Sequence, residues 1–235
     1  MPRARPKFRR EIPSVRREAL IEATLESLRR YGNAGVSVRR ISARAGVSPG
    51  LINHHFPSIS TLVAAAYESL ALSLLQAIRN HAEETTAPPR ERLRRFFQAS
   101  FAPGLLNPQL FDTWLVFWSR VSHAPEMRAV HDRTWAAYRS TLESMLEALK
   151  RGERLPPFDV RLAAAGLSAL LDGLWVELSL NPSTLTPAEA VALCEAWTAA
   201  LAAGSLGGLR ATRRPEPRRA ARKRPTTRAQ GRAAR

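Results

Sequence analysis

Apolar residues in this chain recur every three or four positions through nearly every segment, and strict apolar–polar alternation is almost absent. Side chains three and four apart share one face of a helix, so such a chain can bury its apolar surface only as one-sided helices. A first helix is expected over 14–31, between Pro13 and Gly32, with Ala19, Leu20, Ala23, Thr24 and Leu28 facing inward. A short helix over 38–45 stops at Gly46, and a third over 48–55 begins at the N-cap Ser48 with Pro49 in its first turn. Ser58 then caps a long helix running to about residue 84. Four or five more follow near 89–102, 108–122, 125–151, 159–180 and 187–203, separated by loops such as "HAP", "LPPFD" and "NPSTLTP". The expected fold class is all-α, of about nine helices, with no internal repeat and no heptad seam.

Charge divides the chain unevenly. The net charge is +16, but residues 210–235 hold eleven Lys or Arg against the single acid Glu216, a net of +10 that leaves +6 for the other 209 residues. Arg3, Arg5, Lys7, Arg9 and Arg10 precede the first acid, Glu11. We therefore expect a basic N-terminal arm over 1–13 and a disordered Arg-rich tail over 204–235. Both would attract polyanions by counterion release without reading sequence, whether DNA, RNA or an anionic membrane.

Several classes are disfavoured. Cys194 is the single cysteine, which excludes an internal disulfide framework and any CxxC metal or redox motif. No signal-peptide segment and no run of about 18 apolar residues is found, so a soluble, cytoplasmic protein with no membrane partner is expected. GxGxxG, P-loop and HExxH motifs are absent, so no enzyme, no catalytic residue and no cofactor are expected. Cys194 reads as a buried thiol in an apolar helix.

The stretch "VSPGLINHHF", residues 47–56, sets His54 beside His55. Neighbours on a helix point about 100° apart and cannot chelate one ion as an i, i+4 pair could, so no metal site is expected. Two short helices joined by a turn at Gly46, inside a three-helix unit, instead fit a helix-turn-helix over 14–57. Glycine suits the reversal because a positive φ strains other residues. Ser48, Pro49 and Gly50 keep the start of the third helix small and polar, so that backbone can approach a DNA groove. Asn53 can read a base edge or bond a phosphate, while His54 and His55 end the helix where it would cross the DNA backbone.

Residues 22–67, "EATLESLRRYGNAGVSVRRISARAGVSPGLINHHFPSISTLVAAAY", resemble the DNA-binding domain of the TetR family of bacterial repressors. The likeness lies in the break at Gly32, the "ISARAGVS" turn, the small-residue helix start and the His-Phe pair before the next helix. It implies that Ser37, Ser48, Pro49, Gly50, Asn53, His54 and His55 face double-stranded operator DNA. Val38, Ile41, Ala45, Val47, Leu51, Ile52 and Phe56 would then form the small core. The chain departs from the family at His54, commonly tyrosine, and at Ile59, commonly a lysine that contacts phosphate.

Residues 105–203 carry all five tryptophans. The segments "FDTWLVFWSRVSHAPEMRAVHDRTW" and "RLAAAGLSALLDGLWVELSL" resemble the choline-responsive repressors of glycine betaine synthesis within that family. The resemblance implies choline as effector and genes of choline uptake and oxidation as targets. It also implies a homodimer formed by the last two helices, with a helical ligand-binding and dimerisation domain over 58–203. Spacing allows a site on its own account. Trp114 with Trp118, Trp135 with Tyr138, and Asp172 with Trp175 each share a helix face. A quaternary ammonium ion donates no ordinary hydrogen bond and is held by aromatic faces with a carboxylate nearby. Core packing is an equally good use for these six residues, and Phe117 points away from the Trp114/Trp118 face. The wide stripe Leu167, Leu170, Leu171, Leu174 and Leu178 points to a dimer interface. A TetR-type regulator of another ligand and a basic architectural DNA-binding protein are the alternatives.

Overall fold

A computed structural model describes residues 13–82, 86–206 and 209, all helical or irregular. The expected arm, apart from Pro13, and the tail from 210 onward lie outside the described residues. Helix α1 (Pro13–Tyr31) is followed by a 3₁₀ turn (Gly32–Gly35), α2 (Val38–Arg44), α3 (Pro49–His55) and α4 (Ile59–Ala82). Then come α5 (Pro89–Ser100), α6 (Pro108–Val121), α7 (Pro125–Gly152), α8 (Val160–Leu180) and α9 (Pro187–Ala202).

The helix starts follow from local chemistry. Proline occupies the first turn of α3, α5, α6, α7 and α9, where its missing N–H costs no hydrogen bond. Asn107 accepts from the Leu110 amide at 2.8 Å and Asp159 from the Leu162 amide at 3.1 Å. Thr186 and Glu189 form a reciprocal capping box on α9. Ser58 accepts from the Thr61 amide at 3.1 Å while its own amide donates to Thr61 Oγ1 at 2.9 Å. Ser48 holds the N-cap position of α3, but its hydroxyl makes no capping bond.

Two apolar clusters organise the molecule. The first joins α1, α2 and α3 to the N-terminal half of α4, and it continues into α6 and the first turns of α7 through Leu110, Val116, Phe117, Met127 and Val130. The second gathers the end of α4 with α5, the C-terminal half of α7, α8 and α9. Helix α4 therefore packs on α1 near its start and on α5 and α7 beyond it. Both α4 and α8 are long and apolar enough by composition to cross a membrane, yet each lies in these clusters as a core helix.

Two expectations need correction. Leu167, Leu171, Leu174 and Leu178 are buried within the protomer's own second cluster and Leu170 packs against it, so this stripe does not require a partner subunit. The large apolar side chains that α8 and α9 expose are Leu180 and Leu193, at 60% and 47%. The tail also does not begin at residue 204. Gly204, with φ +71°, turns the chain at the end of α9, and the Ser205 amide donates to the Ala200 carbonyl at 3.0 Å. Leu206 and Leu209 then pack on the second cluster, and the Leu209 carbonyl accepts from the Asp159 amide at 3.0 Å. A Gly/Ala/Arg-rich composition hid these two leucine anchors.

The 3₁₀ turn is pressed against α1. A Cβ added at Gly35 would stand 2.3 Å from the Ser27 carbonyl oxygen, while Ser27 Oγ donates to the Gly35 carbonyl at 3.0 Å. The obstacle is backbone rather than a movable side-chain end, so Gly35→Ala must push the turn away from the first cluster. We expect it to lower stability by about 1–3 kcal/mol, read as a reduced urea midpoint. An unchanged midpoint would mean that the turn backs away freely.

Candidate functional site

Helices α2 and α3 meet through a turn in which Gly46 has φ +65° and the Val47 amide donates to the Ser42 carbonyl at 3.0 Å. The reversal therefore falls on the residue that tolerates it. Ile41 and Ile52 are fully buried and Phe56 nearly so, and Val38, Ala45 and Val47 pack around them. This leaves Ser48, Pro49, Gly50, Asn53 and His54 exposed along one surface of α3, with Ser37 and His55 half-buried beside it. A Cβ at Gly50 would meet no atom of the protein, so internal packing does not demand glycine there. Arg39 and Arg40 are exposed on α2, and the Arg40 guanidinium lies 4.7 Å from the Tyr31 ring centre. Arg44 is held in an ion pair with Glu26 of α1.

A cavity of about 150 Å³ lies where α4, α5, α6, α7 and α8 converge, and all six candidate ligand residues line it. Helix α6 contributes Trp114 and Trp118, whose ring centres are 5.9 Å apart. Trp135 and Tyr138 come from α7 with centres 5.9 Å apart, and α8 brings Asp172 and Trp175. Trp118 meets Trp175 edge to face at 6.2 Å, so two helices that are distant in sequence close one aromatic corner. Trp175 is fixed there by its indole N–H, which donates to the Leu105 carbonyl at 2.9 Å. Phe117 instead points into the first apolar cluster, fully buried.

The sequence reading missed Tyr67, which also lines the cavity. It sits on α4, where the helical pattern marks it only as a core position. Its ring stacks on Phe117 at 4.9 Å and meets Trp114 edge-on at 5.3 Å. Its hydroxyl lies 2.9 Å from Nδ1 of His131, whose ring stacks on Trp135 at 5.4 Å. Burial raises the Tyr67 phenol and lowers the His131 imidazole, which favours the neutral form of each. Aliphatic side chains of α4, among them Leu74, Leu75 and Ile78, complete the wall.

Asp172 is the acid among the lining residues. Burial pushes its carboxyl up to about 6, and the Ser168 hydroxyl, 3.4 Å away, offsets only part of that. Burial also lifts the Tyr138 phenol well above its ordinary range, with the nearby Asp172 charge adding to it. Among the described residues no arginine or lysine lines the cavity. A half-buried carboxylate among aromatic faces, without a protein cation beside it, makes this a site of negative potential suited to a positively charged guest. Cys194 is fully buried, its thiol pushed up to about 12 by burial, and so is inert. Among the described residues no group of three or more His, Cys, Asp or Glu could hold a metal ion.

The cavity and the exposed α3 surface are mechanically joined. Helix α6 carries Trp114 and Trp118 and packs on α1 and the 3₁₀ turn. At its end, Arg120 Nη2 donates to Asn33 Oδ1 of that turn at 2.7 Å. Helix α6 is thus shared between the cavity wall and the packing of the three-helix unit.

Comparison with known proteins agrees with this division. Residues 20–66 match the model of bacterial regulatory proteins of the tetR family, and residues 89–203 match that of the BetI-type transcriptional repressor C-terminal region. The HTH-type transcriptional regulator BetI of Burkholderia thailandensis is 34% identical over 167 residues, covering 71% of this chain and 83% of its own. The Serratia proteamaculans BetI is 32% identical over 186 residues, covering 76% and 88%. A transcriptional regulator from Pseudomonas aeruginosa PAO1 has a crystal structure that superposes with a TM-score of 0.79 at 45% identity, over 87% of this chain and 99% of that one. A transcriptional regulator from Saccharomonospora viridis, solved in complex with choline, shares the fold at TM-score 0.67 and 22% identity, over 79% and 96%. The molecule is a DNA-binding transcription regulator rather than an enzyme. It belongs to the TetR family, with a C-terminal domain of the BetI type.

Asp172 gives the site a pH signature. Folding raises its carboxyl from an ordinary value of 3.8, so the protonated form gains stability that is complete below that value and is lost as pH climbs through about 6. Asp172→Asn cannot suffer this loss. At neutral pH it should be the more stable protein by about 1–2 kcal/mol, after discounting for partial solvent access, and the advantage should vanish below about pH 4. Paired thermal melts across that range check it, and parallel curves would mean that Asp172 is solvated in the fold.

Proposed function

We propose that this protein is a cytoplasmic, homodimeric repressor that binds operator DNA through α3 and leaves it when choline, or a closely related quaternary ammonium ion, enters the aromatic cavity. Its target genes are those of choline uptake and glycine betaine synthesis. The observation that carries the reading is the convergence of Trp114, Trp118, Trp135, Tyr138 and Trp175 on one cavity with the lone carboxylate of Asp172. A trimethylammonium group presents only C–H surface, so ring faces and one negative charge recognise it better than hydrogen-bond donors do. The cavity's 150 Å³ is of the size that admits a benzene-scale molecule, and choline is of that scale. The Saccharomonospora viridis regulator, of the same fold, was solved holding choline. The domain division that goes with this reading is a DNA-binding head over 14–57 and an effector and dimerisation body over 58–203.

On DNA, the small start of α3 at Ser48, Pro49 and Gly50 lets the backbone approach, and the exposed side chain of Asn53 reaches a base edge. Ser37, His54 and His55 meet the flanking phosphates. Dimerisation through α8 and α9, the helices that expose Leu180 and Leu193, sets two such heads at the spacing of a palindromic site. Choline repacks the Trp114/Trp118 face of α6 and the Tyr67 face of α4, which changes that spacing. The release it causes is bounded by choline's preference for the DNA-incompetent state.

The deciding experiment is binding of a labelled duplex from upstream of this gene and its neighbours, with and without choline, under competitor DNA and moderate salt. Site-selective binding that choline weakens is the expected result. Binding that is selective but indifferent to choline removes the effector from the reading, and binding without selectivity removes the operator. Trp118→Ala and Trp175→Ala should each weaken choline about tenfold or more while keeping operator affinity. Asn53→Ala should do the reverse, lowering operator affinity about tenfold and leaving choline binding intact. Choline affinity should also rise with pH through about 6, as the Asp172 carboxyl ionises.

A further inference from the structure

A second concavity, an open crevice of about 390 Å³, lies between α4, α5 and α7, and its chemistry is opposite to that of the aromatic cavity. Arg79 of α4 and Arg92 of α5 line it, together with the hydroxyls of Ser140, Thr141 and Ser144 on α7. Among the described residues that line it there is no acid. Among the described residues Arg92 has no ion pair that would explain its position. The acid next to it on α5, Glu91, is committed to Arg94 at 2.7 Å and Arg95 at 3.0 Å, which holds the Glu91 carboxyl down at about 2. The Arg92 Nε atom is shielded from solvent and has no acceptor among the described residues. A guanidinium donor withdrawn from water without an acceptor carries a desolvation cost that an oxyanion would relieve. The crevice also has an apolar side in Ala137 and Met145, and Phe96 beside it is fully buried. The Phe96 ring lies 6.2 Å from that of Tyr138, so the two concavities are separated by one pair of rings.

We propose that this crevice is a second ligand site, for a small organic oxyanion with a short apolar portion, a carboxylate or a phosphomonoester. Arg92 is its charge partner, the α7 hydroxyls supply further hydrogen bonds, and the side walled by Ala137 and Met145 takes the apolar part. The site stands independently of the choline reading, because none of these residues lines the aromatic cavity.

The test is calorimetric titration of the full-length protein in chloride buffer with butyrate, butyl phosphate and inorganic phosphate. Saturable one-site binding of butyrate or butyl phosphate is expected, and the tighter of the two assigns the headgroup. Arg92→Gln should weaken that binding about tenfold, equivalent to about 1.4 kcal/mol. Arg151→Gln, which removes an equal charge from an exposed arginine outside the crevice, and Trp175→Ala should leave it unchanged. These controls separate the crevice from general anion uptake by a chain of net charge +16. Ser144→Phe, at an exposed position on the crevice wall, should abolish binding by filling the space, and it keeps the test valid if Arg92→Gln fails to fold. The proposal is overturned if neither organic probe saturates, if inorganic phosphate binds as tightly as butyl phosphate, or if a folded Arg92→Gln or Ser144→Phe protein binds like wild type.

Discussion

Helix α4 has to satisfy two apolar clusters at once, and the rest of the molecule is arranged around that demand. Its first turns close the core of the helix-turn-helix unit through Leu62, Val63 and Ala66, and its last turns enter the second cluster through Ile78 and Ala82. Between them stands Tyr67, nearly inaccessible to solvent, stacked on Phe117, edge-on to Trp114 and bonded to His131. A close-packed interior transmits displacement because it has little free volume to absorb it. A rod anchored at both ends, with its middle in the wall of a cavity, cannot adjust to a guest at one place only.

The electrostatic design of that cavity is economical. One half-buried carboxylate among tryptophans is costly while the cavity holds no cation, and a cationic guest removes the cost by ion pairing and ring contact. On the proposed reading, selectivity resides in what the wall lacks. Without an arginine or lysine in the lining, an anionic ligand gains nothing there. Neutral apolar molecules gain ring contact but leave the Asp172 charge uncompensated.

Much of this was legible in the sequence, for reasons that differ from element to element. Helix limits were marked by proline, cap residues and positive-φ glycines, all of which act within a few residues. The turn at Gly46 could be read because only its own φ was involved. The six cavity residues announced themselves by helical spacing and unusual chemistry. Tyr67 did not, since a tyrosine on a long amphipathic helix looks like any core aromatic until α6 and α7 are laid against it. Gly35 was silent for a related reason, because its constraint is the carbonyl of Ser27, eight residues earlier and one turn of fold away. The leucines of α8 were visible, but which surface they cover depends on α5, α7 and α9, and the protomer itself covers them. Leu206 and Leu209 were overlooked because composition is averaged over a segment whereas anchoring takes two side chains.

The first apolar cluster has a bearing on how such regulators diversify. Leu110, Val116, Phe117 and Val121 of α6 belong to the same buried group as Leu28, Ile41 and Ile52 of the head, and Arg120 reaches back to Asn33. The reading head is therefore no interchangeable cartridge. A head transplanted from a relative would arrive with a socket cut for another α6, and its packing here would have to be rebuilt along that whole seam.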